Sequence, residues 1–154
     1  MTLETIQLPK PRLLIVDDQP VNIRILHELF RHECHVLMAT SGEQAIEISR
    51  RELPDLILLD VVMDTMDGHE VCERLKADPL TQEIPIIFLT GQSGGTEEAR
   101  CFELGAVDFI SKPIQPPVVR ARVKTHLALK LQTDLLRSLV LLDGVTGMAI
   151  KTKP

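Results

Sequence analysis

Four short apolar runs of the chain each lead directly into polar side chains. The runs cover residues 13–16, 56–59, 86–89 and 107–110. Short apolar runs bounded by turn signals are typical of strands that are buried on both faces, as in a parallel sheet covered by helices. The polar residues that follow the runs are Asp17 and Asp18, Asp60, Thr90, and Ser111 and Lys112. Because parallel strands end along one edge, we expect these groups to meet where open α/β sheets bind ligands.

Helical patterns alternate with the strands. Apolar spacing, proline and glycine signals predict helices over about 20–30, 42–53, 68–77, 96–104 and 116–142, with a further strand over 34–39. Ser41 and Gln44 have the spacing of a capping box, and Gly105 is the predicted left-handed cap of the fourth helix. A strand–helix unit that occurs five times favours a doubly wound, five-stranded parallel sheet of flavodoxin-like order 2-1-3-4-5, with an extended C-terminal helix.

Composition restricts the setting of the protein. The 154 residues suffice for one domain with its own core. The three cysteines form an odd set without repeated spacing, which argues against a disulfide framework and indicates a reducing cytoplasm. Residues 1–12 lack the pattern of a secretory signal, and no apolar run approaches the roughly 20 residues that a bilayer span requires. We therefore expect a cytoplasmic chain without a membrane partner.

Charge is distributed unevenly along the chain. Residues 1–112 carry 10 basic and 20 acidic side chains, whereas residues 113–154 carry 7 basic and 2 acidic ones. An acidic body disfavours nucleic acid as a partner. We interpret the basic C-terminal part as a solvated helix face.

The polar residues at the strand ends suit a divalent metal and a phosphoryl group. Asp17, Asp18 and Asp60 offer the carboxylate oxygens that Mg²⁺ prefers. Asp60 is the best candidate for a nucleophile, because a carboxylate can accept a phosphoryl group as an acyl phosphate. Thr90 could donate a hydrogen bond to a phosphoryl oxygen, and Lys112 could place a positive charge on another.

Five motifs carry a resemblance to a known family. They are L-L-I-V-D-D at 13–18, L-L-D-V-V-M at 58–63, M-D-G at 66–68, F-L-T-G at 88–91 and G-A-V-D-F-I-S-K-P at 105–113. In this order and spacing they are specific. Over about residues 12–130 the chain resembles the receiver domain of a two-component response regulator.

The resemblance implies a role for each residue of the site. Asp60 would accept a phosphoryl group from a sensor histidine kinase or a phosphotransfer protein. Asp17 and Asp18, with Asp60 and the backbone carbonyl of Val62, would hold Mg²⁺, with Mn²⁺ as an alternative. Thr90 and Lys112 match the hydroxyl residue and the lysine of the family pattern. The chain would then phosphorylate and dephosphorylate only itself and would not otherwise be an enzyme.

The resemblance also implies a switch. Phe109 occupies the position of the switch aromatic, three residues before Lys112. We expect its ring to be a buried part of the core. In the family this ring turns further inward when the hydroxyl residue, here Thr90, approaches the phosphoryl group. The surface of the fourth helix, fifth strand and fifth helix would change as a result. The Lys112–Pro113 bond is expected to be cis, as is usual in the family. Asp64 replaces the family's usual proline, which predicts a more flexible and more acidic loop beside the acceptor.

Two histidine-containing segments could suggest a further functional site. His32, Cys34 and His35 are of the right type for zinc, but no second cluster completes a tetrahedral set, so we do not predict zinc there. His69 lies close to the predicted loop after Asp60, and we interpret it as a solvent-exposed residue at a helix start.

The C-terminal part predicts a connection to another chain or domain. Residues 131–142 would extend the last helix beyond the receiver, with a leucine stripe that either forms a homodimeric coil or folds back onto its own domain. Residues 142–148 resemble the segment that introduces the GGDEF domain of diguanylate cyclases, although the family's Asn-Arg pair is replaced by Ala149 and Ile150. The predicted organisation is an N-terminal extension (1–11), a receiver (12–130), a signalling helix (131–142) and the start of a truncated or absent output domain (143–154).

Two rival functions are also compatible with these residues. A receiver that stands alone would act by binding a partner through its switch surface. A haloacid-dehalogenase-like phosphatase also uses an aspartyl nucleophile, threonine, lysine and magnesium, but that family has a second aspartate two positions after the nucleophile, where this chain has Val62. A full-length parent protein with a GGDEF domain would be a diguanylate cyclase.

Overall fold

The computed structural model describes residues 9–91 and 94–145, in which five strands alternate with five helices. The strands are β1 (Arg12–Val16), β2 (His35–Ala39), β3 (Leu56–Asp60), β4 (Ile86–Thr90) and β5 (Asp108–Ser111). The helices are α1 (Pro20–Phe30), α2 (Gly42–Glu52), α3 (Gly68–Ala77), α4 (Gly95–Glu103) and α5 (Pro116–Val145). All strand pairs are parallel and the order is β2-β1-β3-β4-β5, which confirms the predicted fold.

Apolar cores on both faces of the sheet explain the continuous apolar runs of the sequence. Successive residues of a strand point to opposite faces. Leu13 and Ile15 of β1 pack in the core beneath α1 and α5, whereas Leu14 and Val16 pack in the core beneath α2, α3 and α4. Every residue of β3 and β4 is buried. Burying a leucine or isoleucine side chain completely stabilises the folded state by roughly 1.5–3 kcal/mol relative to leaving it exposed. These two strands therefore contribute much of the stability of the sheet.

Several boundaries differ from the predicted ones by one or a few residues. β2 begins at His35 and α4 at Gly95, and α5 continues to Val145. β5 includes Ser111, because Ser111 pairs with Thr90 of the neighbouring strand. The predicted N-terminal extension and output-domain start fall largely on residues 1–8 and 146–154, which lie outside the described residues.

The capping signals are used, one of them differently from the prediction. The Ser41 hydroxyl accepts a hydrogen bond from the Gln44 backbone N–H at 3.2 Å, as an N-cap does. The Gln44 side chain, however, accepts from the Thr40 backbone N–H at 2.8 Å and not from that of Ser41. Gly105 has the predicted left-handed backbone, with φ +108°.

The apolar side chains of α5 change from buried to exposed along the helix. Val119 and Val123 are fully buried, and Leu127 is partly buried against the same core. Further along, the exposed apolar residues are Leu129, Leu131, Leu135, Leu136, Leu139, Val140 and Leu141. Arg137 forms an ion pair with Glu83 at 3.2 Å. No helix in the described part of the chain has the length and apolar character needed to cross a membrane.

The three thiols allow a test of the two cores. Burial raises the pKa of Cys34 and Cys72 to about 11 and that of Cys101 to about 12. Thiolates are the reactive form, so we expect the native chain to react with iodoacetamide at about pH 8 at least about 100-fold more slowly than the urea-unfolded chain. Rapid labelling of all three cysteines in the folded chain would contradict the buried positions.

Candidate functional site

The polar ends of four adjacent strands meet at one edge of the sheet. Lys112 Nζ, one residue beyond β5, lies 3.1 Å from Asp60 Oδ1 and 3.5 Å from Asp17 Oδ2. Strand register produces this meeting: Val16 pairs with Leu59, which places Asp17 and Asp60 side by side, and Lys112 N–H donates to the Thr90 carbonyl at 2.7 Å. The structure therefore brings together the carboxylates and the ammonium group that the sequence predicted.

The two aspartates after β1 have different surroundings. Asp17 is fully buried; its Oδ1 accepts the Gln19 backbone N–H at 2.9 Å, and its Oδ2 accepts no hydrogen bond within the described residues. Asp18 is partly exposed, and its Oδ2 accepts the Asp64 backbone N–H at 3.3 Å. A proline, the family's usual residue at position 64, has no N–H and could not make this bond. The departure from the pattern thus provides a donor that orients Asp18.

The carboxylates fit a divalent cation. Oxygen atoms of Asp17, Asp18 and Asp60 all lie within 4.8 Å of one another. Lys112 is the cation that contacts Asp17 and Asp60, so negative charge exceeds positive charge in a largely buried place. Buried charge is costly unless it is paired or coordinates a metal. A hard ion such as Mg²⁺, which keeps several water ligands, matches this oxygen donor set and the unsatisfied Oδ2 of Asp17.

Asp60 lies in an environment that favours its protonated form. Burial raises the pKa of its carboxyl group above the ordinary value, and the nearby Asp17 carboxylate raises it further. The Lys112 ammonium and the Val62 backbone N–H, both of which donate hydrogen bonds to Asp60, offset part of this effect. A cation that bound here would favour the ionised carboxylate in the same way as Lys112 does.

Thr90 and Phe109 occupy neighbouring strands close to this cluster. Thr90 is fully buried at the end of β4. Phe109 is only partly buried and packs against the core on the α4 side of the sheet, so the expectation of a ring within the core is wrong. The reason is that β5 is an edge strand, covered less completely than β3 and β4. The Lys112–Pro113 bond is cis, as the family resemblance implied.

The loop that follows Asp60 exposes Val62 to solvent. Val62 is 62% exposed, so it is not part of either core. Val62 nevertheless contacts Asp60 through its backbone N–H. Thr65 in the same loop has a left-handed backbone, with φ +66°, a conformation that costs a non-glycine residue about 1 kcal/mol or more.

A match to a protein-family model identifies the family of this chain. The model of the response regulator receiver domain matches residues 13–124, which is more than two thirds of the chain. The chain belongs to this family. It is a receiver domain of the kind found in two-component response regulators, and the phosphatase alternative is thereby excluded.

Curated relatives are much longer than this receiver. It is 44% identical over 124 residues to a probable cyclic di-GMP phosphodiesterase of Vibrio cholerae, and 42% identical over 127 residues to response regulator PleD of Caulobacter vibrioides. These matches cover 80% and 82% of this chain but only 28% of each relative. The chain therefore spans little more than a quarter of the length of these two proteins.

Solved structures agree with the fold. A response regulator from Chloroflexus aurantiacus superposes with a TM-score of 0.73 at 37% identity, covering 77% of this chain and 98% of that one. The receiver domain of sensor histidine kinase PA1611 from Pseudomonas aeruginosa superposes with a TM-score of 0.71 at 24% identity over 77% of this chain and 98% of that one. The crystals of that domain contain a magnesium ion in its active-site cleft. At that identity the likeness shows the fold alone.

Gly68 allows the start of α3 to approach the Asp60 backbone. A Cβ atom at position 68 would lie 2.2 Å from the Asp60 carbonyl oxygen and 2.9 Å from Val61 Cα. The Gly68 N–H donates to the Val61 carbonyl at 2.7 Å, which closes the loop onto the end of β3. The glycine of the M-D-G motif thus has a steric role, because it lets the start of α3 lie against the end of β3.

His69 is a residue whose environment the sequence analysis misjudged. Its side chain is 15% exposed, its Nε2 lies 2.9 Å from Glu97 Oε2, and its ring meets the Phe88 ring edge-on with centroids 5.7 Å apart. The interpretation of His69 as solvent-exposed is therefore wrong. The sequence does show that Glu97 and Cys101, four residues apart, lie on one face of α4. It does not show that His69 of α3 faces them, which is seen only in the packing of the two helices.

Replacement of Gly68 by alanine tests the close approach. We expect Gly68→Ala to lower the free energy of unfolding by about 1–3 kcal/mol, because the added methyl group collides with backbone atoms that cannot move aside. Urea unfolding followed by circular dichroism measures the change. The matched control is Gly91→Ala, since a Cβ at position 91 meets no atom within 4 Å. Equal effects of the two substitutions would contradict the steric role.

Proposed function

We propose that Asp60 is the phosphoacceptor of this receiver and that it takes the phosphoryl group from a sensor histidine kinase or a phosphotransfer protein. The observation that carries the proposal is the contact of a nearly buried Asp60 carboxylate with Lys112 Nζ at 3.1 Å, beside the carboxylates of Asp17 and Asp18. A reactive carboxylate, an ammonium group and two further metal-type ligands at one strand edge suit phosphoryl transfer, which depends on position and charge stabilisation.

In the proposed reaction an Asp60 carboxylate oxygen attacks the phosphorus atom of a phosphohistidine. The O–P bond forms, the P–N bond breaks, and the electron pair returns to the imidazole nitrogen. Lys112, which contacts Asp60, would neutralise a phosphoryl oxygen, and the buried Thr90 hydroxyl would donate a hydrogen bond to another. Asp17, Asp18, Asp60 and the Val62 carbonyl would hold Mg²⁺, or Mn²⁺ in its place. The ion would screen the repulsion between the acceptor and the incoming anion.

The proposed switch uses Thr90 and Phe109. Phe109 is partly exposed, and its ring packs at the edge of the core on the α4 side. A Thr90 side chain that moves toward a phosphoryl oxygen would leave space behind it, and the Phe109 ring is the neighbouring side chain able to fill that space. The surface of α4, β5 and α5 would change with it.

We further propose that α5 links the receiver to an output. Residues 12–130 would form the receiver, 131–142 the signalling helix and 143–154 the start of an output domain, after an N-terminal extension over 1–11. The exposed leucines of α5 support a homodimeric coil. The name of the Vibrio cholerae relative and the likeness of 142–148 to the GGDEF-introducing segment support a parent protein that acts on cyclic di-GMP. The receiver itself would perform no chemistry beyond its own phosphorylation and dephosphorylation.

Phosphorylation of Asp60 is tested by intact mass spectrometry. After incubation with acetyl phosphate and magnesium, we expect a single phosphoryl adduct on the wild-type chain and none on Asp60→Asn, because an amide cannot form the acyl phosphate. Chelation of the metal is expected to prevent the adduct as well.

The matched control is Asp64→Asn, which changes a carboxylate in the same loop but leaves the backbone N–H that contacts Asp18. It is expected to retain the adduct. An adduct that persists in Asp60→Asn would refute the assignment of the acceptor, and an adduct that forms equally well without magnesium would refute the metal dependence.

Dimerisation is tested with one exposed leucine on α5 and one elsewhere. Leu135 is 56% exposed on the proposed signalling helix, and Leu80 is 50% exposed in the loop between α3 and β4. We expect Leu135→Glu to convert a dimer into a monomer, since it places a charge in an apolar helix contact, and Leu80→Glu to have no effect. Size-exclusion chromatography with light scattering measures both. A wild-type chain that is monomeric at all accessible concentrations would contradict the proposal.

A further inference from the structure

Three side chains of α3 and α4 form a compact group away from the carboxylates of Asp17, Asp18 and Asp60. His69 is the second residue of α3, and Glu97 and Cys101 lie one turn apart on α4. Glu97 Oε2 lies 2.9 Å from His69 Nε2 and 3.5 Å from Cys101 Sγ. One donor atom from each residue lies within 4.8 Å of the other two. Their mutual distances are short enough for one ion to contact all three.

The donor types differ from those of the carboxylate cluster. An imidazole nitrogen, a carboxylate oxygen and a thiol sulfur are typical ligands of Zn²⁺ and related transition metals, whereas Mg²⁺ selects oxygen. Zinc sites with three protein ligands keep a fourth position for water or another ligand. Glu97 and Cys101 are four residues apart on one helix, so both project from the same side of α4 toward His69.

The surroundings hold the group in place. The Cys101 side chain is fully buried, and those of His69 and Glu97 are 15% and 13% exposed. Phe88 of β4 contacts the His69 ring edge-on and restricts its rotation. A partly buried and preorganised donor set loses less entropy on binding an ion than three mobile surface side chains would.

Arg100 is the charged neighbour that an ion would have to displace. Its Nε donates to His69 Nδ1 at 3.2 Å, and its side chain is exposed, so it can swing into solvent. Burial and the adjacent Glu97 raise the pKa of Cys101 to about 12, so the thiol is protonated near neutral pH. An ion that binds must therefore displace the thiol proton, a requirement that favours metals with high affinity for thiolate.

We propose that His69, Glu97 and Cys101 bind a divalent transition metal ion of the Zn²⁺ class between α3 and α4. On binding, Cys101 Sγ loses its proton to solvent. The His69 proton moves from Nε2 to Nδ1 as Arg100 withdraws, and the ring stays neutral. One proton is released for each ion bound. The ion would join α4 to α3 beside Gly68, independently of phosphorylation and of the magnesium ligands.

Cobalt is a suitable probe of this site, because Co²⁺ substitutes for Zn²⁺ and shows a charge-transfer band when a thiolate binds it. The titration is done with the full chain in excess magnesium, so that the carboxylates of Asp17, Asp18 and Asp60 are saturated. We expect one equivalent of Co²⁺ to produce the thiolate band and stoichiometric Zn²⁺ to abolish it. A proton-release measurement in weak buffer is expected to give one proton per ion.

Variants identify the ligands. Cys101→Ser is expected to remove the band, and His69→Gln and Glu97→Gln to weaken Zn²⁺ binding by more than about 100-fold, beyond the usual loss for an outer-shell partner. Cys34→Ser is the matched control, because Cys34 is a buried thiol on the opposite face of the sheet, and it is expected to keep the band. Circular dichroism establishes that each variant is folded.

Three results would overturn the proposal. The first is a wild-type chain without a thiolate band and without saturable Zn²⁺ uptake. The second is a band that persists in Cys101→Ser, which would place the thiolate elsewhere. The third is unchanged Zn²⁺ affinity in both His69→Gln and Glu97→Gln. Because Glu97→Gln alters a partly exposed side chain and leaves the cores intact, the comparison holds even where Cys101→Ser fails to fold.

Discussion

The concentration of like charge at one edge of the sheet is the constraint on which the rest of this site depends. Asp17 and Asp60 are buried side by side, and both contact the same ammonium group, that of Lys112. Two buried carboxylates that share one cation are unfavourable, since each desolvated charge costs several kcal/mol. The rigid cores above and below β1 and β3 maintain the arrangement. The burial of apolar side chains in those cores therefore stabilises a cluster of like charges that is suited to bind a metal ion and a phosphoryl group.

The backbone restricts this edge as tightly as the charges do. Gly68 brings the first turn of α3 against the Asp60 carbonyl, and the Val62 N–H donates to the Asp60 side chain. Asp64 offers a further N–H to Asp18 from the same loop. The segment between Asp60 and Gly68 thus contacts two carboxylates through main-chain donors. Those donors do not depend on which side chain stands at position 62 or 64, provided that it is not proline, so the loop tolerates side-chain change better than it tolerates the loss of an N–H.

The fold and the cluster of Asp17, Asp60 and Lys112 were predictable because both follow from a local signal. An apolar run that ends in a charged residue predicts a buried strand and the place where it ends, and parallel order then brings the ends together. Phe109 and His69 were not predictable in this way. Phe109 is only partly buried because β5 is an edge strand, and His69 is largely enclosed because α4 packs beside it. The burial of these two side chains depends on which helices and strands pack over them. That is a property of the tertiary structure, which a single stretch of sequence does not contain.

β5, the strand that contains Phe109, is also hydrogen-bonded to α5 through the side chain of Asp108. The Asp108 carboxylate accepts hydrogen bonds from two side chains of α5, Arg122 Nη1 at 2.7 Å and His126 Nε2 at 3.0 Å. It also accepts the Phe109 backbone N–H at 2.8 Å. Burial favours the protonated form of Asp108, but the Phe109 N–H, His126 and Arg122 together lower its pKa below the ordinary value, so it remains a carboxylate. One ionised side chain thus joins the backbone of Phe109 to two successive turns of α5. A displacement of β5 at the sheet edge must either carry α5 with it or break charge-assisted hydrogen bonds, and the exposed leucines further along that helix would move accordingly.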